Sequence, residues 1–74
     1  MGKEAQITYM QARLVRLATQ EWNLTMQAVN DMFQKYGIYR YIEKFWDLFH
    51  IEGDYAVLDD VRHYLEIKGA VIGK

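Results

Sequence analysis

The sequence predicts an all-α fold: a compact four-helix single domain over residues 1–74, with a central, aromatic-rich third helix. Three observations lead there. Apolar residues recur at helical spacing in four stretches. Short breaks at residues 23–25, Gly37 and residues 50–54 divide those stretches. No proline interrupts any of them.

The first helix is expected over residues 4–22. Ile7, Met10, Leu14, Leu17 and Ala18 form its inward stripe, with Val15 and Trp22 at the edge. Tyr9, Arg13, Arg16 and Gln20 share the opposite side. Thr25 is placed to cap the second helix, residues 26–36, by accepting from an orphan backbone N–H. Leu24 and Val29 have the spacing of a hydrophobic staple, while Ala28 stands where a capping box wants Glu or Gln. Ala28, Val29, Met32, Phe33 and Tyr36 face inward, and Gly37 ends the helix.

The third helix, residues 38–50, holds five of the eleven aromatic residues. On a wheel, Ile38, Tyr41, Ile42, Phe45, Leu48 and Phe49 share one side, and Tyr39 and Trp46 widen it. That apolar arc can meet neighbours on two flanks, which predicts a position at the centre of the core. Arg40/Glu43 and Lys44/Asp47 are spaced for ion pairs across the exposed face. The fourth helix is expected over residues 55–68, capped by Asp54 and stopped by Gly69. Val57, Leu58, Val61, Tyr64 and Leu65 form its buried stripe. An extended segment over residues 55–58, with the helix starting after Asp59, is the alternative. Ala70, Val71 and Ile72 are expected to fold back on the core, ahead of a short tail ending at Gly73 and Lys74.

Composition bounds the function. Seventy-four residues make one core, and 51% hydrophobic content excludes intrinsic disorder. A core this small supplies only about 3–5 kcal/mol, which favours good helix packing or self-association as reinforcement. There is no cysteine, hence no disulfide and no thiolate metal site; a reducing cytoplasm is the expected location. A formal charge of −1 gives no field to attract nucleic acid or an anionic membrane. No apolar run reaches the length of a membrane span, and the first residues lack a signal peptide's apolar region.

Reactive constellations are sparse. The chain has no serine and no phosphate-cradling glycine run, and Thr8, Thr19 and Thr25 are not near a histidine in sequence. His50, Glu52 and Asp54 alternate, but match neither an EF-hand loop nor a zinc helix; they read as a solvated loop. His63 reads as a surface residue. The expectation is no enzymatic activity, no cofactor and no metal. The second and third helices raise the question of a helix-turn-helix unit, but the third offers aromatics and balanced charge to a groove. The candidate partner surface is Tyr9, Arg13, Arg16 and Gln20, together with Trp46, because arginine and aromatic residues are enriched at interface hot spots.

Residues 8–18, reading TYMQARLVRLA, then Trp22-Asn23, resemble a short bacterial family known as domain of unknown function 3791. Residues 35–42 (KYGIYRYI) and 50–54 (HIEGD), with Asp59-Asp60 and Tyr64-Leu65, are also similar to it. The resemblance covers nearly the whole chain and implies a stand-alone member. It carries no catalytic residues. Its members' frequent neighbourhood to genes for proteins resembling ADP-ribosyltransferases implies a partner or antidote role. The reading that follows is a non-enzymatic protein-interaction module, either homo-oligomeric or an antitoxin-like regulator of a neighbouring enzyme. The alternative is a small DNA-binding regulator using the second and third helices.

Overall fold

A computed structural model describes residues 2–72. It contains five helices: α1 (Lys3–Trp22), α2 (Met26–Lys35), α3 (Ile38–Lys44), α4 (Trp46–Phe49) and α5 (Asp54–Ile67). The all-α class holds, with four helices of seven residues or more and a single-turn α4. The Cα radius of gyration, 11.5 Å, matches the roughly 11 Å expected of a compact chain of this length.

The helix ends follow local chemistry. Thr25 has extended backbone, and its hydroxyl accepts from the Ala28 N–H at 3.0 Å, so the predicted cap forms. Asn23 takes the left-handed conformation (φ 55°) after α1, and Leu24 N–H reaches back to the Thr19 carbonyl at 3.3 Å. Gly69 does the same after α5: Ala70 N–H donates to Leu65 O and Gly69 N–H to Glu66 O, the paired bonds of a Schellman ending. Ala70 and Ile72 then pack against the core, while Val71 stays exposed. Gly37 (φ 68°) lets the chain pass from α2 into α3 without a loop. Its absent Cβ would meet nothing within 4 Å, so an alanine there suffers only from the backbone angle. Gly37→Ala is expected to cost about 1–2 kcal/mol in chemical denaturation, the ordinary left-handed penalty for an L-residue; an unchanged midpoint would contradict that geometry.

Two expectations need correction. First, the aromatic stretch is not one helix over residues 38–50. The backbone leaves helical geometry at Phe45 (φ −105°, ψ 18°), and α4 starts afresh. The bend turns Phe49 into the core and leaves Leu48 exposed. The rings of Tyr41, Phe45 and Phe49 still gather, with centroids 5.1–6.2 Å apart. The expected Arg40/Glu43 and Lys44/Asp47 pairs do not form among the described residues. Asp47 instead meets Lys3 at 3.5 Å, and Lys44 lies over the Phe45 ring. The central place expected of the third stretch holds: α3 lies against α1, α2 and α4, with Ile38 and Ile42 completely buried. Beside it, α1 lies against α2, α3 and α5. It is the longest helix and buries six residues, including Leu14 and Ala18 completely. Phe33, Ile38, Ile42, Val57, Val61 and Leu65 close the core around it. Second, Asp54 does not cap α5. It is the first helical residue, after Gly53, and its carboxylate is engaged elsewhere. The helix nonetheless starts there, so residues 55–58 are not extended.

Tyr41 stacks on Tyr64, with centroids 4.2 Å apart and rings 20° from parallel. Burial, then Asp60, then Tyr64 hold its hydroxyl above the usual tyrosine value of 10.0; burial does the same to Tyr39. The fold therefore retains protons that the unfolded chain gives up first. Stability is fully present below about pH 10 and is lost as pH rises through the raised values. A melting temperature constant from pH 7 to 9 and falling above about pH 10 is expected. Tyr41→Phe should blunt the fall, and an identical alkaline profile in that variant would contradict the assignment.

Candidate functional site

The exposed face of α1 lies between two shallow grooves. On one side Ala12, Val15 and Arg16 oppose Met26, Gln27 and Asn30 of α2, with Tyr39 of α3 closing the end, around about 500 Å³. On the other side Arg13, Arg16, Leu17 and Gln20 oppose Asp54 and Tyr55, around about 180 Å³. Arg16 lines both. The first groove lies within the 300–1,000 Å³ range of ligand clefts and has aliphatic walls.

Tyr39 fixes the closed end of the first groove. Its hydroxyl donates to the Asn30 Oδ1 at 2.6 Å. Its carbonyl accepts from the Gln11 amide at 2.9 Å, and its ring stands edge-on to Phe33 at 5.5 Å. α2 therefore holds the half-buried Tyr39 side chain, while α1 holds its backbone. With one lone pair of Oδ1 engaged, Asn30 still offers its two side-chain N–H donors and the second lone pair. The second groove is electrostatically closed. Arg13 Nε lies 3.0 Å from Asp54 Oδ2, and the second Arg13 nitrogen lies 3.4 Å from Oδ1, a two-pronged pair that ties α1 to the start of α5. Arg16 has no ion-pair partner among the described residues, so it carries the uncompensated charge of this face.

The five predicted surface residues are thus only partly brought together. Arg13, Arg16 and Gln20 share a groove wall. Tyr9 is exposed one turn earlier on α1. Trp46 is elsewhere: its ring is stacked on His50 at 4.2 Å and approached by Lys3 Nζ at 5.5 Å. Lys3 is ten residues before Arg13, or about 15 Å along the helix. Met26, Asn30 and Gln11 were not singled out from the sequence. The available signal for the two amides was their position beside buried residues, Gln11 between Met10 and Leu14 and Asn30 between Val29 and Phe33.

The other constellations resolve into ordinary contacts. The His50 ring is bonded through Nδ1 to the Trp46 carbonyl at 2.9 Å, and Asp54 belongs to Arg13. No group of three or more His, Asp or Glu residues suited to a metal ion occurs among the described residues. None of those residues is a buried polar or charged one. The exposed faces of α3 and α4 carry Arg40, Glu43, Lys44 and Asp47, two charges of each sign. No helix among the described residues is long and apolar enough to cross a membrane.

A family model described as a protein of unknown function (DUF3791) matches residues 9–68, a span running from Tyr9 on α1 to the end of α5. No curated protein and no solved structure matches the chain.

Proposed function

Since the chain belongs to the DUF3791 family, whose description names no activity, we propose from its own surface that it is a non-enzymatic protein-interaction module. The observation that carries this reading is the α1–α2 groove: aliphatic walls, a fixed Tyr39–Asn30 pair at one end and an uncompensated Arg16 at the rim. An exposed arginine beside a half-buried tyrosine and an exposed methionine is the composition of interface hot spots. Catalysis would call for reacting groups held in a water-poor site, and the described polar residues all retain solvent contact. A regulator or antidote of a neighbouring enzyme is the form of this role implied by the family resemblance, and a homo-oligomer is the other.

The test is gentle isolation of the tagged chain from the cells that express it natively, with mass spectrometry and light scattering on the product. A single stoichiometric partner, or a defined oligomer, is expected. A bare monomer at every concentration and salt level would overturn the reading.

A further inference from the structure

We draw no further inference here: the strongest candidate, the surface patch at α4 and the turn after it where Leu48 and Ile51 expose apolar side chains, carries nothing because nothing in the structure shows what covers it.

Discussion

Phe33→Ala should leave little folded protein at 25 °C. Phe33 is completely buried on α2, edge-on to Trp22 at 6.3 Å and to Tyr39 at 5.5 Å. It joins the end of α1, the last turn of α2 and the start of α3. Truncating a phenylalanine in a closed core costs about 3–5 kcal/mol through lost transfer energy and the cavity left behind. A single core of this size supplies about that much in total. Far-UV circular dichroism should report a largely unfolded chain, and Phe33→Leu, which keeps most of the volume, should remain folded with a lowered midpoint. A cooperative transition in Phe33→Ala near that of the parent would mean that the three-helix junction is not where the stability resides.

The second large effect separates two arginines one turn apart. Arg16→Glu should reduce partner capture at least tenfold and leave the melting temperature unchanged, because Arg16 holds nothing within the fold. Arg13→Glu should do the reverse in emphasis. It removes the two-pronged contact with Asp54 and places a second carboxylate opposite it. Exposed pairs are worth at most about 1 kcal/mol, so a fall of about 4–8 °C is expected in a domain of this length. Partner capture and thermal melting, measured on both variants, distinguish the roles. Equal melting temperatures with equal loss of capture would mean that the two arginines act as one docking stripe, as the helical wheel alone suggests.

That contrast marks how far the chain could be read without coordinates. The helices were legible because their signals are local. The 3.6-residue apolar period locates the inward stripes, and Thr25, Gly37 and Gly69 act on neighbours within a few residues. The bend at Phe45 was not legible. Tyr41, Ile42, Phe45, Trp46 and Phe49 suit a straight helix as well as a bent one, and only packing against the rest of the core sends Phe49 in and Leu48 out. The same holds for Asp54. Directly before an apolar run it has the local form of a cap, but its partner lies 41 residues away on α1. The site was half legible for the same reason. Arg13, Arg16 and Gln20 lie on one helix face and follow from periodicity. Met26, Asn30 and Tyr39 join Arg16 only because the α2–α3 corner folds against α1. Trp46 carried the composition of a hot spot, but its ring is occupied by His50 and Lys3.

The most direct test of the partner face is hydroxyl-radical footprinting of the chain alone and in its native complex. Met26, 56% exposed, and the half-buried Tyr39 are reactive side chains in the groove; Leu48, 58% exposed, and Ile51, 75% exposed, are controls outside it. Protection of Met26 and Tyr39 with Leu48 and Ile51 unchanged is the predicted result. Protection of Leu48 and Ile51, with Met26 still oxidised at its free rate, would place the interface on the α4 side and contradict the assignment of the α1–α2 groove.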